Sequence, residues 1–432
     1  MNRILVVSRN VWNDDAGTSS TLTNIFSHCE EYEIAHIYIE TKKPHTNCCG
    51  RFFQISEMSL IKKMVKWNTK TGFAFETACN EYKENDELSA QEEKTLAYVR
   101  GHRSILYSLL RDFLWRFNGW KSKELISFLK SYNPDIVWFE GSPLPLMNRL
   151  YLYVKRETQK PSVVFLQDDV YSYRSCTNIL SRLYRFILRQ SVKKVVACCS
   201  HVFVICPKMK EEYDSIFHIN STILTKGIDV SSERKIDIGV QSPIKMVYLG
   251  QLIYGRNISL LEIVRNIDKV NQEGEKVVLD VYTQTTLSEK EQRILEGCPF
   301  VTIKAPVPYS EVESVINAHD VVLFIESFDS KFSQVARLSF STKITDYLAS
   351  GKCIFAVGPE NIAPIEYFIK TDSAIAVTDL NEMEEAMKKL SSPKIVNEYA
   401  QKAKLCGEEN HSMELMRSRV QNVFNNIVEY EN

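Results

Sequence analysis

The sequence predicts an α/β protein built from two doubly wound, Rossmann-like domains. Three observations carry that reading. Short β-branched apolar runs alternate with longer stretches of helical periodicity. The runs are almost continuously hydrophobic, as parallel strands covered on both faces must be. They also fall into two groups, in a chain of 432 residues with room for two large cores.

The first group comprises Ile4–Val7, Ile34–Ile39, Ile136–Phe139, Val163–Leu166 and Val202–Ile205, and ends near Ile223–Leu224. The second comprises Met246–Leu249, Val277–Val281, Val321–Ile325 and Ile354–Val357. Helices are expected over Asn257–Asn271, Tyr309–Ala318 and Lys343–Ser350. The polar stretch Asp229–Pro243 reads as the linker, which gives domains at 1–230 and 244–408. Residues 52–123 show no evident strand and read as a helical insert, with an acidic patch at Glu81–Glu93. The last segment, 409–432, holds an amphipathic helix over Ser412–Glu429, whose apolar face needs a partner surface and is expected on the first domain.

Composition narrows the function classes. Hydrophobic residues make up 44% and charged residues 25%, too apolar for a disordered chain. Lys+Arg is 53 against Asp+Glu 54, a net charge of −1, which argues against a nucleic-acid partner. The 11 cysteines include no C-x-x-C and no zinc-like spacing, so they read as reduced thiols in a reducing compartment. No apolar run approaches the length of a membrane span, and MNRILVVSRN reads as a first strand rather than a signal peptide. A cytoplasmic protein is expected.

Chemistry concentrates where strands end and helices begin. Gly250 closes the strand MVYLG, and Gly255-Arg256 opens the next helix; backbone approach, a helix N-terminus and a guanidinium suit an anion. A tight turn with a surface arginine has the same spacing. Ser341, Thr342 and Lys343 start another helix, where hydroxyl caps, free N–H groups and an ammonium would meet a phosphate. A simple capped helix with a solvated lysine is the other reading. Asp346 lies one turn on and could accept from ribose hydroxyls. In the first half, Gly17 follows strand one in DDAGTSS, as a ligand loop or an ordinary turn. Asp168 and Asp169 follow Val163–Leu166 at a carboxyl strand end, where a carboxylate could orient or deprotonate an acceptor hydroxyl or merely cap a turn.

The segment STKITDYLASGKCIFAVG resembles the donor-binding segment of the glycosyltransferase group 1 family (family 4). These are retaining, nucleotide-sugar-dependent enzymes of the GT-B fold, with two Rossmann-like domains facing a cleft. VYLGQLIYGR resembles that family's first motif of the second domain. HVFVICPKMKEEYDSIF and the KGID turn at Lys226–Asp229 resemble the end of its first domain, and RILVVSRNVWNDDAGTSSTLTNIF its first strand and glycine loop. The resemblance implies a donor diphosphate held by Arg256, Lys343 and N–H groups at Ser341 and Thr342, with Asp346 on the ribose. It also implies transfer to a saccharide or lipid-linked saccharide, as in bacterial capsule, O-antigen or exopolysaccharide synthesis. Two departures stand out. Leu338 occupies the position of the family's first acid, and the second acid is Asp346 rather than glutamate. Glu326, on a loop after a strand, is the candidate substitute. His36 and His102 read as structural.

No D-x-D is present as a metal clamp, so no metal and no cofactor beyond the donor substrate are expected. From Val170 to Lys210 there are eight basic residues and no acid, and Arg100–Lys123 is rich in Arg, Trp and Phe. Both suit a peripheral contact with an anionic inner-membrane face, through Arg100–Lys123 or Arg182–Lys194; a buried helix with a solvated basic face is the alternative. Competing with transfer are a non-catalytic GT-B-like binding or scaffold protein and a nucleotide-sugar epimerase.

Overall fold

The structure, a computed structural model, describes residues 2–14, 19–27, 31–76, 105–117, 119–230, 240, 242–272, 274 and 276–429. It divides into two compact units. The first is Met1–Ile205, Met209–Leu224 and Arg417–Asn432; the second is Cys206–Lys208 and Thr225–Met416. The division falls at Leu224–Thr225, ahead of the stretch Asp229–Pro243, of which 231–239 and 241 lie outside the described residues.

The first unit holds an eight-stranded sheet in the order β4-β3-β2-β1-β5-β6-β7-β8. The strands are β1 (Asn2–Val7), β2 (Tyr32–Tyr38), β3 (Arg51–Ile55), β4 (Gly72–Glu76), β5 (Ile136–Glu140), β6 (Ser162–Leu166), β7 (His201–Val204) and β8 (Thr222–Ile223). All pairings are parallel except β3 with β4. Apolar runs such as ILVV in β1 and SVVFL in β6 are fully buried, as the sequence pattern requires. Trp138 of β5 stacks on Phe203 of β7 at 5.4 Å and meets Phe26 edge-on at 5.4 Å. The final helix, Met413–Glu429, adds Phe424 to this cluster, edge-on to Tyr32 and Trp138, while Arg417 donates to the carbonyl oxygen of Ser27 at 2.7 Å.

Two strands correct the expectation of a helical insert over 52–123. β3 and β4 extend the sheet at one edge, and helices at Glu57–Val65, Ile105–Arg116 and Lys123–Tyr132 accompany them. The signal was weak because Arg51 opens RFFQI and Gln54 interrupts it. In GFAFE at the sheet edge, four of five residues keep solvent contact, so neither run is continuously apolar. The acidic patch Glu81–Glu93 lies outside the described residues.

The second unit holds a wholly parallel six-stranded sheet, β11-β10-β9-β12-β13-β14. Its strands are β9 (Ile244–Leu249), β10 (Val277–Tyr282), β11 (Val301–Lys304), β12 (Val321–Ile325), β13 (Cys353–Val357) and β14 (Ile375–Val377). Met246, Leu279, Leu323 and Phe355 meet Ile263 and Ile267 of the helix Arg256–Val270 in one core. The chain order reverses between β9 and β12, the switch point at which open α/β sheets bind ligands. Among the described residues their ladder runs through Val321–Met246 and Val322–Val247, at the start of β12, leaving the carboxyl ends without ladder partners across the switch. No helix among the described residues is long and apolar enough to cross a membrane.

Candidate functional site

The second unit's switch point is organised by a lysine and a glycine. β9 ends at Leu249, and the chain turns through Gly250 at φ 150. A Cβ there would lie 2.1 Å from Nζ of Lys343, so a side chain would displace that ammonium, and the positive φ favours glycine as well. Lys343 is the second residue of the helix Thr342–Ala349, and its Nζ donates to the carbonyl oxygen of Leu249 at 2.7 Å. Ser341 caps the helix, its hydroxyl accepting from the backbone N–H of Lys343 at 3.3 Å. Burial, then the neighbouring Arg256, pushes the Lys343 ammonium down to about 8, against the pull of Glu326 and Asp346.

Arg256 opens the helix Arg256–Val270 behind Gly255, whose φ of 78 and tight contact with Ser327 again favour glycine. Arg256 forms a two-pronged ion pair with Glu326, Nη2 to Oε1 at 2.7 Å and Nε to Oε2 at 3.2 Å. The pair links the start of the helix after β9 to the residue that follows β12. Glu326 is buried, so two residues expected in separate roles act together: the carboxylate holds the guanidinium in place.

Asp346, one turn into the lysine's helix, accepts from Nζ of Lys226 at 2.5 Å. Lys226 also donates to the hydroxyl of Tyr309 at 3.2 Å. Burial opposes the charge on Lys226, but Asp346 outweighs it and raises its pKa. The KGID turn was visible in the sequence; the role of its lysine was not, because the partner is 120 residues away. Gly250, Gln251, Thr283, Tyr309, Thr342, Lys343 and Asp346 all line one cavity of about 290 Å³ beyond the carboxyl ends of β9 and β10. Leu338, at the position where the resemblance expects an acid, is wholly buried and is not among the residues lining that cavity.

In the first unit, Asp169 accepts from the backbone N–H groups of Tyr171 and Ser172 at 3.1 and 2.9 Å, from the Ser172 hydroxyl, and from the Tyr213 hydroxyl at 3.2 Å. Burial opposes its charge, yet the Ser172 and Tyr171 hydrogen bonds and Arg185 hold the carboxyl below its usual range. This geometry makes Asp169 the organiser of its loop. Asp168 beside it is exposed. Gly17 and His102 lie outside the described residues. His36 is buried in β2, its Nε2 2.8 Å from the Ser8 hydroxyl, and burial lowers its pKa to about 3.

Glu140 escaped the sequence reading, which ended the strand at Phe139. It is the last residue of β5, beside β1, where this sheet also reverses order. It is buried, and its Oε1 has no hydrogen-bond partner. Burial pushes its pKa up to about 8 against a hydrogen bond with Gln167, which favours the neutral acid. Among the described residues, no cluster of three His, Cys, Asp or Glu side chains is placed to hold a metal ion.

No protein-family model matches the sequence, and no curated protein does. Solved structures match over almost the full chain. An alpha,alpha-trehalose-phosphate synthase (UDP-forming) from Burkholderia xenovorans in complex with glucose-6-phosphate is 10% identical, with TM-score 0.60, covering 98% of this chain and 100% of the other. TarM is 10% identical, with TM-score 0.60 and coverage of 98% and 99%. An E. coli trehalose-6-phosphate structure bound with UDP-2-fluoro glucose is 12% identical, with TM-score 0.57 and coverage of 98% and 99%. These structures have the GT-B glycosyltransferase fold, and the likeness shows that this chain shares it.

Proposed function

We propose that the protein is a glycosyltransferase that moves a sugar from a nucleotide-sugar donor to a saccharide or lipid-linked saccharide. The observation that carries this reading is the grouping of Gly250, Thr342, Lys343 and Asp346 on one cavity at the switch point of the second unit. A half-buried ammonium, a capped helix start and a glycine turn are complementary to a diphosphate. Two of the structural neighbours support the substrate classes: one holds UDP-2-fluoro glucose and another glucose-6-phosphate.

In this reading Lys343 and the N–H groups at Ser341 and Thr342 hold the diphosphate, with Arg256 fixed beside them by Glu326. Asp346 keeps lone pairs for the ribose hydroxyls while Lys226 holds one of its oxygens. The bond from the anomeric carbon to the phosphate oxygen breaks, and a bond to an acceptor hydroxyl oxygen forms. The nucleoside diphosphate leaves with the negative charge that the preorganised cations stabilise. The hydroxyl proton passes to that leaving phosphate oxygen, the retaining course that the family resemblance implies. Cations of the protein then do what a metal does elsewhere, so the reaction proceeds without one. We assign the protein to the group 1 family, acting in the cytoplasm in surface polysaccharide assembly.

The burial of Leu338 favours one second reading, in which a nucleotide sugar is bound and not transferred. Thermal unfolding with a panel of nucleotide sugars tests the donor site shared by both, because a ligand of the native state raises Tm. A shift with at least one nucleotide sugar that Lys343→Met abolishes supports the site. No shift with any of them contradicts it.

A further inference from the structure

Three helices of the first unit turn their apolar side chains outward. The helix Ile105–Arg116 packs against Glu57–Val65 and Ile179–Cys198. Leu106, Leu110, Phe113 and Phe117 recur at helical spacing and are each 57–59% exposed. On one side Ile61, Met64 and Val65 are exposed, and Trp67 just beyond that helix is 85% exposed. On the other, Ile179, Leu183 and Phe186 form a second outward stripe, with Ile179 at 81%. Single exposed apolar residues need no explanation, but stripes on adjoining helices do.

Two of the three arginines of Ile179–Cys198, expected on its solvent face, point the other way, while Arg182 stays exposed. Arg185 donates to the carbonyl oxygen of Asp169 at 2.9 Å and to the Ser175 hydroxyl at 3.0 Å. Arg189 donates to the carbonyl oxygen of Tyr171 and lies 3.7 Å over its ring. These two residues tie down the loop after β6, and apolar side chains are left outside. Exposed cations remain on these helices or just beyond them, at Lys62, Lys66 and Arg182, while the exposed Arg116 pairs with Asp112 at 3.4 Å. The acids of these helices are all engaged. Glu57 pairs with Arg111 and accepts from Trp115, Asp112 is buried against Arg149, and Ile179–Cys198 contains none.

We propose that this face docks on an anionic lipid surface. Apolar side chains enter the boundary of headgroups and acyl chains while the flanking cations meet lipid phosphates. The charge pattern selects this occupant over a second copy of the chain, which would bring like charges together. The proposal adds a location to the transfer reading, one where a lipid-linked acceptor is presented, and does not depend on the donor chemistry.

Vesicle flotation tests it with neither donor nor acceptor present, so its failure leaves the transfer reading standing. The probes are vesicles of phosphatidylcholine alone and of phosphatidylcholine with phosphatidylglycerol. The wild type is expected to float with the anionic vesicles, less so as salt screens the charges beyond about 8 Å. Leu110→Ser/Phe113→Ser/Phe117→Ser is expected to cut the bound fraction about tenfold or more with an unchanged Tm, as exposed apolar area no longer leaves water. Lys62→Gln/Lys66→Gln/Arg182→Gln is expected to remove the preference for anionic lipid, and it decides alone if the first variant unfolds. Wild type that stays unbound overturns the proposal, as does a folded serine variant that floats equally well. So does a dimer in lipid-free solution that the serine substitutions dissolve, which would mark the face as a contact between copies.

Discussion

The ammonium of Lys343 donates to the carbonyl oxygen of Leu249 at 2.7 Å, tying the start of one helix to the end of the strand that precedes Gly250. The contact leaves a cation partly desolvated beside a turn with no side chain, a cheap arrangement only if an anion completes it. Lys343→Met is therefore expected to weaken nucleotide-sugar binding by about 10- to 150-fold, the loss of one charge-assisted contact of roughly 1.5–3 kcal/mol. Gly250→Ala is expected to act in the same direction, because its methyl group claims the space of the ammonium. Calorimetric titration of both variants with the nucleotide sugar that most raises Tm checks this.

The depressed pKa of Lys343 gives binding a pH signature. In the free protein the group loses its proton near pH 8, and a bound diphosphate raises that value. Affinity is then greatest below about pH 8 and falls as pH rises through it, with proton uptake on binding. Titrations between pH 6.5 and 9.5, roughly the span around that value, are expected to show the fall in the wild type and not in Lys343→Met.

Lys226 pairs with Asp346, which lines the cavity. Lys226→Met leaves the Asp346 carboxylate uncompensated near the bound diphosphate, and donor affinity is expected to drop. Adding Asp346→Asn removes the repulsion and keeps an acceptor for the ribose, so part of the affinity returns. A double-mutant cycle by calorimetry measures the coupling, which for contacting residues is about 0.5–3 kcal/mol. Strict additivity would count against the pairing.

Glu140 predicts a trend in stability. Its folded pKa of about 8 lies above the unfolded value of 4.5, so the native state binds the proton more tightly. The stabilisation is complete below the unfolded value and is lost as pH rises through the folded one. Denaturant unfolding of the wild type against Glu140→Gln is expected to show the wild type losing stability relative to the variant between these two values.

The two sheets were legible because strands such as VVLFI and CIFAV are apolar on both faces, and a parallel sheet leaves no other arrangement for them. Edge strands were not: β11 exposes Thr302 and Ile303, and β14 has three residues. Within the site, Gly250, Thr342, Lys343 and Asp346 could be found because helix caps and strand ends leave local marks. The Arg256–Glu326 and Lys226–Asp346 pairs could not, since their partners lie 70 and 120 residues apart and no local pattern connects them. Arg185 and Arg189 show the converse. Their spacing suggested a basic face, and the fold uses them to hold the loop after β6.

Sugar transfer itself is tested most directly by following the nucleoside diphosphate released from a panel of nucleotide sugars. Soluble and lipid-linked saccharide acceptors are supplied, with a metal chelator present. The expected result is acceptor-dependent release with at least one pair, matched by a product heavier by one sugar, undiminished by the chelator and lost in Lys343→Met. A nucleotide sugar that binds tightly at the cavity and is never transferred to any acceptor, with or without added metal, would contradict it.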